Sequence, residues 1–165
     1  MNIRFTSTFD QEPGNIAELL KRSYADLVLS DPEHWRQEEA KWEEFDKEVF
    51  RHPDSVGACV FLTWTDNHIV GFGSFDPRQM PVYGIVGHNC ILPQFQGRGI
   101  GKQQIFEIPS RLRSMGIQTA KASTNSHPFF VPAQRMYIAC GFIEKGRRPW
   151  DRDPSREIVE YEKEI

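Results

Sequence analysis

The chain has 165 residues, a little more than one domain at about 150 residues per domain, so we expect a single domain over residues 1–165. Hydrophobic residues make up 39% and charged residues 26% of the sequence, which excludes collagen, a disordered chain and a long coiled coil. The net charge is −3, so the overall charge gives no reason to expect binding to nucleic acid or to an anionic membrane.

Cysteine usage and the N-terminal residues favour a soluble, cytoplasmic protein without a metal site. The three cysteines, Cys59, Cys90 and Cys140, are an odd number at wide spacings, which supports neither a disulfide framework nor a C-x-x-C metal site. The N-terminus carries polar residues throughout, and no segment approaches about 18 consecutive apolar residues. We therefore expect neither a signal peptide nor a membrane-spanning helix.

The hydrophobic pattern predicts the element order βααβββαβαββ. Residues 2–8 alternate apolar and polar side chains, as in a half-buried strand. Apolar residues then recur at helical spacing in two segments, one from Asn15 and one from about Glu33. Residues 56–64 and 69–75 are rich in β-type residues, and the turn Asp66-Asn67 joins them. We interpret them as a β-hairpin.

The second half of the chain is predicted to alternate strands and helices. Residues 81–92 form one strand, and a glycine-rich turn then opens a helix that runs to about Met115, with Gly116 as its C-terminal cap. Pro109 lies inside this helix and predicts a kink or an early stop, because proline removes one hydrogen bond and clashes with the preceding turn. The remaining elements are a strand at 117–124, a helix at 129–140 and closing strands at 142–145 and 157–163.

The most informative segment is the glycine-rich run from Gln96 to Lys102. Glycines allow successive backbone N–H groups to face one concavity, and the first turn of the following helix adds a positive dipole end. A phosphate or pyrophosphate would fit there. A P-loop would need glycine at Gln96 and Ser or Thr at Gln103, and a dinucleotide fingerprint would need glycine at Lys102. Both of these motifs are therefore excluded.

The pattern that does match is Q/R-x-x-G-x-G/A, filled by Gln96, Gly99 and Gly101. Residues 133–142 are similar to a second pattern, A-x-x-x-Y-x-x-x-G-F. Together with the element order, these motifs resemble the GNAT superfamily of acetyl-CoA-dependent N-acyltransferases over residues 56–145. The resemblance implies an α+β fold (α/β mixed sheet), whose central, mostly antiparallel twisted sheet is splayed at the fourth and fifth strands and flanked by helices. It also implies acetyl-CoA as cosubstrate and no metal.

The resemblance further implies where the coenzyme binds. The amides of the glycine loop would hold its pyrophosphate, and the end of the preceding strand would supply main-chain contacts to pantetheine and the acetyl carbonyl. Arg98 and Lys102 would add positive charge for the phosphates; the alternative is that they are solvated residues at a helix start. Asn125, at the end of the next strand, is also an expected contact to the coenzyme. It departs from the family pattern, whose asparagine falls seven residues before the tyrosine, where this chain has Phe130. The expected coenzyme-binding residues are Ile91, Leu92, Gln96, Gly97, Arg98, Gly99, Ile100, Gly101, Lys102 and Asn125.

Two residues are predicted to carry the chemistry. Tyr137 matches the family's tyrosine that protonates the departing thiolate, and a phenol with a pKa of about 10 is protonated at neutral pH, as a general acid must be. The alternative for Tyr137 is a core tyrosine. His88 is the predicted general base or water relay, with a structural histidine as the alternative reading and His127 as another candidate base. Cys90 is not an expected nucleophile, because a free cysteine in a strand is usually a buried hydrophobe.

The expected activity is direct acetyl transfer in a ternary complex to a primary amine of a small molecule or peptide. The alternative is a non-catalytic acyl-CoA-binding or regulatory module of the same fold. We expect no nucleic-acid or membrane partner, and a homodimer is compatible with the family. Acidic residues of the second helix form either a rim that attracts a cationic amine or a solvated outer face, whereas arginines near the last hairpin could recognise a carboxylate or phosphate. The acidic set is Glu38, Glu39, Glu43, Glu44, Asp46 and Glu48, and the basic set is Arg147, Arg148, Arg152 and Arg156.

Overall fold

The structure is a computed structural model and describes residues 2–165. Within these residues the elements follow the expected order, except that both predicted helices after the first strand and the predicted strand at 81–92 are each divided in two. The strands are β1 Ile3–Ser7, β2 Val60–Thr65, β3 His68–Asp76, β4 Gly84–Val86, β5 Cys90–Ile91, β6 Thr119–Asn125, β7 Ile143–Trp150 and β8 Asp153–Glu164. The helices are α1 Asn15–Ser23, α2 Ala25–Ser30, α3 Pro32–Trp35, α4 Glu38–Arg51, α5 Ile100–Ser114 and α6 Val131–Ala139.

The sheet is mixed and mostly antiparallel, as expected. Its strands pair in the order β1-β2-β3-β4-β6-β8-β7, and β5 pairs with β3. The pairing of β4 with β6 is parallel, and the other pairings are antiparallel. The parallel ladder covers two residue pairs, Gly84 with Ala120 and Ile85 with Lys121. Beyond these pairs, β6 continues along β8 to Asn125. The short ladder matches the predicted splay, which lies between β4 and β6 in the numbering used here.

The chain divides into two compact units. The first comprises residues 2–74 and 88–101, and the second comprises residues 75–87 and 102–165. Each unit has its own buried apolar side chains. The prediction of a single domain over residues 1–165 stays a prediction. Fully buried residues of the first unit include Ile16, Leu20, Leu27, Phe61, Val70 and Phe72, and those of the second include Ile105, Ile108, Leu112, Ala120 and Val159.

The two helices predicted after β1 are each divided. Tyr24 separates α1 from α2 with a non-helical backbone (φ −108°, ψ 10°), and α3 precedes the longer α4. Helix α1 starts after Gly14, which has no side chain with which to cap it. The carboxylate of Asp46 on α4 takes that role and accepts hydrogen bonds from the amides of Gly14, Ile16 and Ala17 at 2.8, 3.0 and 3.1 Å. Asp46 is therefore a buried cap and not part of a solvent-facing acidic rim.

The prediction of a single strand at 81–92 is wrong, because a bulge divides this segment into β4 and β5. Val86 pairs with Phe75, and Cys90 pairs with Phe72. Two residues of β3 therefore lie opposite three residues, 87–89, of the other strand. One extra residue in one strand is the definition of a β-bulge, and it bends the strand and interrupts the ladder. The interruption comes directly before the glycine-rich loop.

Helix α5 passes through Pro109 and continues to Ser114, so the predicted early stop is wrong. The helix gives up one hydrogen bond there, while its apolar side chains on both sides of Pro109 stay buried. Gly116 follows the helix with φ +83°, and the amide of Ile117 donates to the carbonyl of Leu112 at 3.2 Å. This confirms Gly116 as the predicted cap. The last two strands are longer than predicted. The sequence pattern underestimated their length because many exposed residues of this hairpin are charged and do not follow an apolar alternation.

Candidate functional site

The loop between β5 and α5 has the backbone geometry of an anion-binding turn. Gly97 and Gly99 have φ values of +74° and +79°, which L-residues with a side chain rarely adopt. A Cβ atom added to either glycine would meet nothing within 4 Å, so the space above the loop is open. Helix α5 begins at Ile100, and its first amides cannot be bonded within the helix. The loop therefore offers several N–H groups and a helix start to an anion.

Side chains fix this loop to the end of the strand before it. The side-chain amide of Gln96 donates to the carbonyl of Ile91 at 2.8 Å. Phe95 packs against the buried cluster that contains Ile91 and Ile100. The guanidinium of Arg98 lies 5.6 Å from the centre of the Phe95 ring, within range of a cation–π contact. Arg98 thus stands at the loop with an aromatic support beneath it.

The main-chain groups at the end of β5 differ in their availability. The amide of Leu92 donates to Val70 at 2.8 Å, and the Leu92 carbonyl accepts from the amide of Phe95 at 2.9 Å. Both groups of Leu92 are therefore engaged inside the first unit. Neighbouring residues of an antiparallel strand point their N–H groups to opposite sides, so the Ile91 amide faces away from β3. Of the two strand-end residues predicted to contact the coenzyme, Ile91 is the one whose amide faces the outer edge of β5.

His88 lies in the bulge, and solvent reaches part of its surface. The ring packs against Phe45 with 4.9 Å between ring centres, and within residues 2–165 neither ring nitrogen has a hydrogen-bond partner. Loss of hydration against its neighbours lowers the pKa of His88 below the ordinary value; Glu38 raises this pKa and Lys41 lowers it. The imidazole is therefore neutral at pH 7 and has a lone pair that can accept a proton.

Tyr137 is held by aromatic packing inside the second unit. It lies on α6 with 4% of its surface exposed, and its ring contacts Phe142 and Tyr161 at centre distances of 5.5 and 5.4 Å. The end of α6 is fixed because Lys163 donates to the carbonyl of Cys140 at 2.7 Å. The packing suits a core tyrosine, and it also gives the phenol one defined orientation.

Asn125 ends β6 with a buried donor that has no partner. The side chain is 5% exposed, its Oδ1 accepts from the amide of His127 at 2.8 Å, and its carbonyl accepts from Gln134 at 3.1 Å. Its Nδ2 has no hydrogen-bond partner among residues 2–165. A buried unsatisfied N–H group is costly and rare, so this donor is a candidate for contact with a ligand.

The geometry argues against His127 as the base. Its Nδ1 accepts a hydrogen bond from the amide of Phe129 at 3.1 Å and thereby caps a short 3₁₀ turn, Pro128–Phe130. In the neutral ring the proton then belongs on Nε2. Neither nitrogen can accept a proton from a substrate unless this cap is lost, which leaves His88 as the better-placed imidazole.

Burial determines the protonation state of the Cys90 thiol. Burial raises the pKa of the Cys90 thiol to about 11, so Cys90 is a protonated thiol at neutral pH. Within residues 2–165 no group of three or more His, Cys, Asp or Glu side chains is arranged to hold a metal ion. None of the helices in this part of the chain is long and apolar enough to cross a membrane.

The charged side chains that could select an acceptor are mostly paired with each other. Exposed ion pairs of this kind contribute little to stability, but they favour a solvated face over a charged binding rim. On α4 the pairs are Glu38 with Lys41, Glu43 with Lys21, Glu44 with Lys47 and Glu48 with Arg51. In the last hairpin they are Arg147 with Glu144 and Glu157, Arg148 with Glu160, and Arg156 with Asp153.

The chain matches the model of a known protein family over most of its length. The model of the Acetyltransferase (GNAT) family matches residues 17–142, which include the strands, the glycine loop and the helix that carries Tyr137. The matched range is well over half of the 165 residues. None of the curated protein sequences matches the chain significantly.

Solved structures with the same fold cover nearly the whole chain. A proposed GNAT acetyltransferase from Desulfovibrio desulfuricans superposes with a TM-score of 0.80 at 15% identity, covering 99% of both chains. The ribosomal-protein-S18-alanine N-acetyltransferase from Escherichia coli has a TM-score of 0.68 at 14% identity, covering 99% of this chain and 94% of that one. The proposed acetyltransferase yncA from Salmonella typhimurium was solved with its cofactor acetyl-CoA. It has a TM-score of 0.65 at 17% identity, covering 99% of this chain and 92% of that one. At these identities the similarity establishes the fold.

Proposed function

Because the chain belongs to the GNAT acetyltransferase family, we propose that it transfers an acetyl group from acetyl-CoA to a primary amine of a small molecule or peptide. The transfer is direct, within a ternary complex. The observation that carries the proposal is the glycine loop, where Gly97 and Gly99 take positive φ values under open space at the start of α5. The acetyl-CoA in the structure of yncA supports the same cosubstrate here.

In this proposal the loop amides from Gly97 to Lys102 bind the pyrophosphate of coenzyme A. Arg98 and Lys102 add positive charge, and charge-assisted hydrogen bonds to phosphate are stronger than neutral ones. The outward amide of Ile91 contacts the pantetheine arm or the acetyl carbonyl. The unpartnered Nδ2 of Asn125 donates to an acceptor atom of the coenzyme, which would remove the cost of its burial.

The reaction needs one base and one acid. The neutral amine attacks the thioester carbonyl, a C–N bond forms, and the C–S bond breaks with the electron pair leaving on sulfur. His88 takes the proton from the attacking nitrogen directly or through water, and Tyr137 donates a proton to the departing thiolate. The products are the N-acetylated amine and coenzyme A with a free thiol.

A non-catalytic acyl-CoA-binding or regulatory module is the second candidate, and the low exposure of Tyr137 favours it, since a tyrosine buried to this degree also serves as core packing. The two candidates share the loop and differ in turnover. Release of the coenzyme thiol in the presence of amines distinguishes them. For either candidate we propose that the protein is cytoplasmic and binds neither nucleic acid nor membranes. For the enzyme we also propose a homodimer, an arrangement compatible with the family.

Calorimetric titration of acetyl-CoA tests the site. We expect micromolar binding to the wild-type chain and loss of binding in a folded variant with Gly99→Asp and Gly101→Asp, because the carboxylates would repel the phosphates. Gly116→Asp is the matched control, since Gly116 also has positive φ and open surroundings but lies at the other end of α5. Absence of binding to wild type would overturn the acetyltransferase proposal.

A further inference from the structure

Two side-chain hydroxyls hold the bulge that carries His88. The hydroxyl of Ser74 on β3 donates to the carbonyl of His88 at 2.7 Å. The hydroxyl of Tyr24 donates to the carbonyl of Asn89 at 3.2 Å. The bulge interrupts the ladder between β3 and the strand beside it, so these carbonyls receive side-chain donors instead of partners from the regular ladder. Two successive peptide groups are thereby fixed in orientation, since each peptide is planar.

Tyr24 connects this bulge to the helices of the first unit. It is the residue between α1 and α2, and its ring stacks on Trp42 with 5.3 Å between centres and 26° between planes. Trp42 is 4% exposed and lies one turn before Phe45 on α4, so the two residues share a face of that helix. Phe45 in turn contacts the imidazole of His88. The side chain that holds the bulge backbone and the ring that the bulge carries therefore each contact an aromatic residue on one face of α4.

We propose that Tyr24 and Ser74 are positioning residues for the acetyl transfer, because their hydroxyls fix the bulge backbone and so hold His88 where it meets the amine. This inference rests on the function proposed above. A base must lie within hydrogen-bond reach of the proton that it removes, and a shift of about 1 Å can lower a rate by about 10²-fold. Neither side chain takes part in the proton transfer itself.

Tyr24→Phe and Ser74→Ala test the inference, because each removes a hydroxyl and little else. Tyr24→Phe keeps the ring that stacks on Trp42. We expect kcat to fall by about 10-fold in each variant, within the loss that a misplaced base can cause, and the Kd for acetyl-CoA to stay within about 2-fold, because the phosphate loop is untouched. In the double variant the losses should be less than multiplicative, since both bonds hold one bulge.

Matched controls remove the same groups elsewhere. Tyr83→Phe removes a phenol hydroxyl from the second unit, and Ser114→Ala removes a hydroxyl that donates to a main-chain carbonyl at 2.7 Å at the end of α5. Both controls should leave kcat unchanged. A loss of kcat in the controls equal to that in Tyr24→Phe and Ser74→Ala would overturn the inference.

A second readout does not depend on turnover. The titration of the His88 imidazole, followed by NMR, should move toward the ordinary pKa in both variants, because a relaxed bulge lets the ring leave Phe45. Glu38 and Lys41, the charged groups that act on this imidazole, are retained in both variants. A lowered melting temperature with unchanged kcat and unchanged titration would mean a structural role only, and the inference would be wrong. If wild type binds acetyl-CoA but acetylates no amine, the proposed function fails, while the titration still decides whether the hydroxyls hold His88.

Discussion

The side-chain amide of Gln96 donates a hydrogen bond of 2.8 Å to the main-chain carbonyl of Ile91. Gln96 is the first residue of the glycine-loop pattern, and Ile91 is the strand-end residue whose amide faces away from β3. One bond therefore ties the loop proposed to bind phosphate to the strand edge proposed to contact pantetheine. The spacing between the glycine-rich loop and the end of β5 is therefore set within the first unit.

Gln96→Leu should weaken acetyl-CoA binding by about 2- to 13-fold, since one hydrogen bond contributes about 0.5–1.5 kcal/mol. Gln96→Glu should weaken it further, because a carboxylate would face both the Ile91 carbonyl and the phosphates. Calorimetry measures both effects, with Gln118→Leu at an exposed site as the control. Wild-type affinity in Gln96→Glu would contradict the proposed position of the phosphates.

Tyr137→Phe should lower kcat by about 10- to 10⁴-fold, the range for loss of a general acid. The Kd for acetyl-CoA should change little, because the ring that packs against Phe142 and Tyr161 is kept. Tyr161→Phe is the control, since it removes a second buried phenol hydroxyl from the same cluster. If kcat at saturating substrates is unchanged in Tyr137→Phe, Tyr137 has no part in the mechanism.

The pH dependence of kcat/KM should report His88. Its pKa is lowered because loss of hydration disfavours the charged ring, and only the neutral ring can act as a base. Activity should therefore rise with pH through a limb whose midpoint lies below about 6.5, the ordinary value for histidine. His88→Gln should abolish this limb, whereas His52→Gln at the end of α4 should keep it. A limb that persists in His88→Gln would assign the base to another group.

Asp46→Ala should lower the free energy of unfolding by about 2 kcal/mol, because three amides at the start of α1 lose their charged acceptor. Asp46→Asn should cost less, since one acceptor oxygen remains. Urea denaturation measures both variants, and Glu44→Ala on the exposed face of the same helix should change the free energy by less than about 0.5 kcal/mol. Equal effects of Asp46→Ala and Glu44→Ala would refute the capping role.

Much of the fold follows from local pattern. The alternation of β1, the hairpin of β2 and β3 and the cap at Gly116 were predictable because each depends on residues close together in sequence. The bulge at 87–89 was not, because its position depends on the register of β3 against the neighbouring strand. The early stop at Pro109 was wrong for a related reason, since burial of the flanking side chains outweighs the loss of one hydrogen bond; the kink stays a prediction.

The sequence by itself determined the glycine-rich turn proposed to bind phosphate, because Gly97 and Gly99 allow its positive φ values with few distant contacts. The contacts that hold the other candidate residues were decided by the tertiary structure. It made Asp46 a helix cap and paired Glu38, Glu43, Glu44 and Glu48 of α4 with basic side chains. It also engaged Leu92 while leaving the Ile91 amide facing outward. It also placed Ser74, Tyr24 and Phe45 around the bulge. Hydrogen bonds and ring contacts between residues 14 to 65 positions apart leave no periodic signal in a single sequence, so only the folded chain reveals them.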